Sequence, residues 1–509
     1  MEDGERDRDK TLSTEGINHL PLPRGRYKVG SVDMLNGVTR DRGVLFRIFY
    51  PCDERSHIVE DVDRRTTWLP QPEKKYSDGY AKVHGNLTYF THKILGKQTA
   101  SLYVPATTNG RPVRENRNAF PLVLFSHDIG ECRTTSSSLC IELASHGCVV
   151  AAVEHRDNTA CRTFYVERVT VSASCNANGE EEVDTVDGEK SPNNQTWDED
   201  REETDEPLRG EEEVPMCEST LDDDEDESDC GDSVQGEQIS TKDGQLNESA
   251  DETDTSAKFR TKTFGQSRTV WVNYRSIEKS PSLYNIRLRQ LHRRVAELIR
   301  TLNCLEKINA RKACRNELPD NCSAALAGIM DLNRVTIVGR GFGGATAYMT
   351  LQMEERTLCG AAIDPLMFVI QTDRPINVCR PLLLVLNSRH TAREDVRIIK
   401  TMFRKTYTTA YTLLGSASDA QSDLPFVRQP SLWSSLSLSW PMVAPGSFTS
   451  LDLGSSLLLR FMADKCNFCT TFMGPNREKY EDYVQRKSNL IEAGVKMPSR
   501  LFSRYTNAR

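Results

Sequence analysis

Between residues 120 and 157 the chain reads FPLVLFSHD, then SSSLCIELASHG after a short polar link, then CVVAAVEHRD. The outer two segments are short, nearly continuous apolar runs ending in polar residues, as strands buried on both faces do. The middle segment has the length and composition of a helix and stops at Gly147, a residue that tolerates the left-handed backbone of a helix end. Strand, helix and strand in so few residues form a βαβ unit, and a βαβ unit implies a parallel sheet. The pattern recurs downstream. VTIVG (335–339) precedes a glycine run and a helical stretch, and LCGAAIDPLMF (358–368), RPLLLVLNS (380–388) and YTTAYTLLGSAS (407–418) read as further strands. SLDLGSSLLLRFMADKC (450–466) reads as a closing helix, and 283–306 as a helix with a strongly basic face. Two strands over 27–50 and one at 100–106 come earlier. The expected fold class is α/β, with a mostly parallel, doubly wound sheet and helices on both faces.

Charge divides the chain. Between Glu180 and Asp254 there are 31 Asp/Glu against 4 Lys/Arg, so the remainder holds 61 basic and 42 acidic residues. A segment this acidic, rich in Ser, Thr and Gly and nearly free of aromatics, cannot bury enough apolar surface to offset its ordering entropy. The expected organisation is a disordered N-terminus (1–21), a first part of one α/β domain (22–174), an acidic disordered insertion (175–257), the second part of the domain (258–470) and a polar C-terminal tail with a helix (471–509). The insertion is either a solvated spacer or an arm for a protein partner, acting through 180–254.

Fifteen cysteines without a regular framework read as free intracellular thiols. Cys466-x-x-Cys469 lacks a second pair of ligands, and no His follows His390, so no metal is expected. The start, MEDGERDRDK, lacks the apolar core of a secretory leader, and no run of about 18 apolar residues occurs. The expected location is cytoplasmic, peripheral to membranes. SLWSSLSLSWPMV (431–443), with Trp433 and Trp440, is either a packed loop or a membrane-interface segment.

The chemistry centres on Gly339-Arg340-Gly341-Phe342-Gly343. A glycine run after a strand also occurs in phosphate-binding loops, but a dinucleotide site wants it in the first βα unit with an acid about 20 residues later. Here it lies in the C-terminal half, and no cofactor is expected. The other frame with this spacing is Gly-x-Ser-x-Gly, a strand-to-helix elbow that exposes a nucleophile.

FSHDIGECRTTSSSLCIELASHGCVVAAVEHRDNTA (125–160), IVGRGFGGATA, AAIDPLMF, PLLLVLNS, GRYKVGSVDML and LLGSASDAQSDLPFV (413–427) together resemble the platelet-activating-factor acetylhydrolases, in both their lipoprotein-associated and intracellular forms. The resemblance covers roughly 22–175 and 260–470. It implies an α/β-hydrolase fold and hydrolysis of the sn-2 acetyl ester of 1-alkyl-2-acetylglycerophosphocholine and of oxidised phospholipids. It places the triad acid on Asp364, the nucleophile on Gly341 and the base on Ser418. The oxyanion amides fall on Phe342 and Ile129. The family's His before the nucleophile is Arg340 here. Asp128 stands where the family has glycine, and a carboxylate there would oppose the charge an oxyanion hole must stabilise.

Glycine has no oxygen to attack a carbonyl, and a serine hydroxyl cannot take a proton as imidazole does. The expectation is a catalytically impaired copy that acts by binding a phospholipid, a membrane surface or a protein, with no nucleic acid partner. The alternatives are an esterase using relocated groups and an interaction protein working through the insertion. His390, Thr346, Ser416 and Cys359 are the nearby groups considered as substitutes, and each reads better as loop or core. His127 and His155 read as hydrogen-bonded scaffold.

Overall fold

A computed structural model describes residues 18–55, 61–83, 102–114, 119–175, 181–186, 262–277, 282–318, 323–370, 380–388, 393–403, 407–416, 419–427, 446–466 and 476–494. His390, Ser418, Trp433, Trp440 and Cys469 lie outside them, as do 176–180 and 187–257 of the acidic insertion. The chain divides into two compact units, Met1–Arg168 with Ser267–Arg509, and Val169–Gln266.

In chain order the strands are β1 (Lys28–Asn36), β2 (Val44–Cys52), β3 (Arg65–Thr67), β4 (Tyr103–Thr108), β5 (Phe120–Ser126), β6 (Val149–Glu154), β7 (Arg162–Cys175), β8 (Glu181–Val186), β9 (Lys262–Asn273), β10 (Met330–Arg340), β11 (Thr357–Ile363), β12 (Leu382–Asn387), β13 (Thr408–Leu413) and β14 (Ile491–Ala493). The helices that matter here are α1 (Glu73–Val83), α2 (Ser137–Ser145), α3 (Leu283–Asn309), α4 (Phe342–Met353), α5 (Arg393–Phe403), α6 (Ser447–Lys465) and α7 (Asn476–Arg486).

The large unit is built on an eleven-stranded sheet in the order β14-β13-β12-β11-β10-β5-β6-β2-β1-β4-β3. From β13 to β6 every neighbouring pair is parallel. β2 and β14 join this block antiparallel. The described residues 476–494 hold α7 and the edge strand β14. In the small unit, β8 pairs antiparallel with the end of β7, from Thr170↔Val186 to Cys175↔Glu181. This strand lies inside the acidic segment.

The apolar runs buried as their composition demands. Every residue of β5, β6 and β12 is buried. Strand period two sends alternate side chains to opposite faces. In β12, Leu383 and Val385 join the core that contains Leu457 and Met462 of α6. Leu382, Leu384 and Leu386 join the core with Phe342 and Leu351 of α4 and Ile399 of α5. Each fully buried Leu or Phe contributes about 2 kcal/mol through burial, and helices on both faces follow from the alternation.

The registers set the site. β5 and β10, distant in sequence, lie side by side with Ser126 opposite Gly339, and β10 and β11 pair Arg340 with Ile363. The carboxyl ends of three parallel strands therefore meet where the strand order switches, the place where open α/β sheets put their ligand sites.

Candidate active site

β10 ends at Arg340, α4 begins at Phe342, and Gly341 alone makes the turn, with φ +56° and ψ −121°. Its N–H donates to Ile363 O (2.9 Å), and its carbonyl accepts from Gly344 and Leu366 N–H, both at 2.9 Å. A side chain here would sit in a strained backbone region, at about 1–3 kcal/mol. The flanking glycines allow α4 to leave the strand at close range. A Cβ on Gly339 would lie 1.9 Å from Gly343 O, and one on Gly343 would lie 2.0 Å from Ser126 O. Gly339→Ala should therefore lose about 2 kcal/mol or more in urea unfolding, because the opposing atom is backbone and cannot rotate away.

The space above Gly341 is filled. A Cβ built on it would lie 2.0 Å from Asp128 Cγ and 2.1 Å from each carboxylate oxygen. Asp128 follows β5 at the turn. Its Oδ1 accepts the N–H of Phe342 at 2.8 Å and the N–H of Ile129 at 2.7 Å. These are the two amides that the sequence resemblance assigns to an oxyanion hole, and the carboxylate of the same chain is their acceptor. Charge-assisted hydrogen bonds of this kind are the strong class. Asp128 N–H donates to Glu131 Oε2 (3.0 Å). Arg340, 4 % exposed, pairs with Glu131 and stands 3.8 Å from Asp128 Oδ2. Arg340 thus ion-pairs with Glu131 and offsets part of the remaining negative charge, on Asp128, over the elbow.

Asp364 sits at the end of β11 with φ +44°. Its N–H donates to Val385 O (2.7 Å), and its Oδ1 accepts weakly from Asn387 N–H (3.4 Å). Asn387 Oδ1 accepts from Ser416 Oγ (2.7 Å), and Gly415 N–H donates to Ser388 Oγ (2.9 Å). Ser416 is thereby a partner of Asn387. Thr346 Oγ1 donates to Phe342 O inside α4 (3.0 Å). Cys359 is buried against Thr336 and Cys466.

Beneath the elbow lies a second constellation. Ser126 Oγ is 2.7 Å from His155 Nε2, and His155 Nδ1 is 2.7 Å from Glu297 Oε2. The order serine–histidine–carboxylate has the shape of a triad, but all three residues are 0 % exposed. Burial, with Arg294 adding to it, holds His155 well below its ordinary pKa. The chain is thus a sealed polar connection between β5, β6 and α3, where no substrate can enter. Arg294 of α3 ion-pairs with Asp157 (2.9 Å), donates to His127 O (2.6 Å) and lies 4.7 Å over the Phe342 ring. It fixes the start of α4 from below.

Sequence reasoning located Gly341, Phe342, Ile129 and Asp128, and the fold brings these four together. It missed the Glu131–Arg340 pair, although an acid three residues after Asp128 and a cation inside the elbow were both in view.

A mixed sheet with its switch point at β10/β5 and a one-residue strand-to-helix elbow defines an α/β-hydrolase fold. The chain belongs to the family described as platelet-activating factor acetylhydrolase, isoform II, whose family model matches residues 12–200 and 244–472. Curated relatives include the platelet-activating factor acetylhydrolases of Cavia porcellus, 26% identical over 77% of this chain and 66% of that protein, and of Gallus gallus, 25% identical over 80% and 75%. The chain thus spans about two thirds of the length of the first of these. A putative phospholipase A2 of Schizosaccharomyces pombe is 34% identical over 121 residues, 23% of this chain and 26% of that protein. A ferulic acid esterase from Streptomyces cinnamoneus superposes with TM-score 0.47 at 13% identity, covering 93% of this chain and 98% of the other. Among the described residues no helix is long and apolar enough to cross a membrane, and no group of three or more His, Cys, Asp or Glu could hold a metal ion.

Proposed function

We propose that this chain is a family member that does not hydrolyse esters and acts by binding, with a phospholipid as the first ligand class to test. The observation that carries the reading is the Asp128 carboxylate: one of its oxygens accepts from both Phe342 and Ile129 N–H. Ester hydrolysis needs an attacking oxygen at the elbow tip and a pair of amides free to receive the carbonyl oxygen as it turns negative. Gly341 supplies no oxygen, and the amides already hold a negative one. A second negative oxygen about 4 Å away would be repelled by about 4 kcal/mol at an effective dielectric of 20. Loss of the base position to Ser418 adds little once the nucleophile is gone, because triad members act as a unit.

Purified full-length protein should turn over neither a 2-acetyl ether phospholipid nor a short-chain ester above a heat-denatured control. It should still sediment with phospholipid vesicles. Turnover above the control sinks the non-hydrolytic reading. Absence of vesicle binding leaves a protein partner, for which deletion of 180–254 is the next test: partner capture should be lost with the melting temperature nearly unchanged.

A further inference from the structure

On the basic face of α3, five arginines and three carboxylates come together with the β1–β2 turn and the end of β6. Arg294 is committed to Asp157. The other four are Arg40, Arg156, Arg293 and Arg300. The remaining carboxylates are Glu297, shared with His155 and with the backbone N–H of Arg156, and Asp41, whose side chain is 78% exposed. An ion pair at so exposed a carboxylate contributes little.

The guanidiniums are crowded. Arg156 is 0 % exposed; one nitrogen reaches Thr39 O (3.3 Å), while Nε stands 3.6 Å from Glu297 Oε1. Arg40 donates from Nε to Arg156 O (3.0 Å) and from Nη2 to Asn158. Arg156 Nε and Nη2, Arg293 Nε and Arg300 Nε are buried and meet no hydrogen-bond acceptor among the described residues. Four buried cationic donors without an acceptor are costly, because each has lost its water and gained no protein partner. Burial first, and then neighbouring arginines, draw the guanidinium pKa of Arg40, Arg156 and Arg300 below the ordinary value: Arg293 acts on all three, and Arg300 on Arg156.

We propose that Arg40, Arg156, Arg293 and Arg300 form a binding site for a phosphoryl group, carried by a free phosphate compound or by a lipid headgroup. The cluster has an excess of two positive charges over its carboxylates, which matches a phosphate monoester dianion. A tetrahedral phosphate offers several acceptor oxygens to neighbouring guanidiniums, where a carboxylate offers two oxygens and one charge. Arg40, Arg293 and Arg300 are partly exposed and give access, with Arg156 behind them. The site lies on the α3 face and requires nothing of the elbow's ester chemistry.

The test uses the full-length protein. Inorganic phosphate well above its Kd should raise the melting temperature by roughly 3 °C over chloride at equal ionic strength. Arg293→Gln with Arg300→Gln should abolish the increment while leaving the basal melting temperature equal or higher, since mutual repulsion is relieved. Arg300→Gln alone should halve it or more and serves if the double variant misfolds. Arg289→Gln, exposed on the same helix, should keep it. Vesicles separate the sources. Sedimentation with phosphatidic acid but not phosphatidylcholine, lost in the double variant, assigns a lipid headgroup; a phosphate increment with neither vesicle bound assigns a soluble phosphoryl ligand. The proposal is overturned if phosphate acts no differently from chloride and phosphatidic acid vesicles are not bound. An increment that persists in the double variant overturns it equally.

Discussion

Gly341→Ser alone is expected to cost roughly 2–4 kcal/mol of stability, and it will not create an esterase. Two effects add. The new side chain must adopt φ +56°, and its Cβ arrives 2.0 Å from Asp128 Cγ. Asp128 cannot yield cheaply, because moving it breaks the hydrogen bonds from Phe342 and Ile129 N–H and separates it from Arg340. Asp128→Gly alone should cost much less, since the carboxylate is one-quarter exposed and water can reach the freed amides. In the double variant the clash is absent and only the strain remains, so a double-mutant cycle in urea should show a favourable coupling of about 1–3 kcal/mol. Activity follows the same order. Adding Ser418→His to the pair should produce ester turnover, and restoring Asp128 to that triple variant should lower it by about 10²–10³-fold, the scale of losing an oxyanion donor. An additive cycle, or equal turnover with and without Asp128, would show that the carboxylate does not fill the site in solution.

The second large effect lies under the elbow. Arg294→Met should destabilise the protein by about 3–5 kcal/mol at pH 7, because it leaves Asp157, 0 % exposed, as a buried charge without its cation. The pH dependence identifies the cause. Burial, with Glu297 adding to it, pushes the Asp157 carboxyl up, but Arg294, with the Thr159 hydroxyl, outweighs this and holds the group below its ordinary value. A carboxyl depressed in the folded state contributes stability at pH above its unfolded pKa and loses it as pH falls through the folded value. In Arg294→Met that depression disappears and burial dominates, so the group prefers its proton. The gap between wild type and variant should therefore narrow as the pH is taken from 7 toward 4.5, as read by urea unfolding at both values. A gap independent of pH would assign the loss to packing around Phe342 instead.

Much of this was legible in order along the chain. The strands β5, β6, β11 and β12 are visible because apolar runs buried on both faces are local in sequence. The elbow is visible because only glycine fits at residues 339 and 343, where a Cβ would meet backbone oxygens 1.9 and 2.0 Å away. The edge strand β14 was missed: three residues, IEA, carry no periodicity, and pairing with β13 alone makes them a strand. β8, inside the acidic stretch, was missed for the same reason, since only its partner β7 makes it a strand. The residue type at 128 predicts repulsion of a developing charge. The place of Asp128 as the standing acceptor of both amides was not derivable from the residue type.

What the sequence by itself determined is the α/β plan, the family, and a glycine at 341 in the strand-to-helix elbow, because spacing and residue type are local properties. What only the tertiary structure decided is which side chain sits over Gly341 and where the basic face of α3 gathers its charge. Asp128 and Phe342 are 214 residues apart and meet because β5 and β10 pair with Ser126 opposite Gly339. Arg40 and Arg156 join Arg293 and Arg300 because the β1–β2 turn and the end of β6 pack on α3. Contacts of that separation depend on strand order and register, which no single segment encodes.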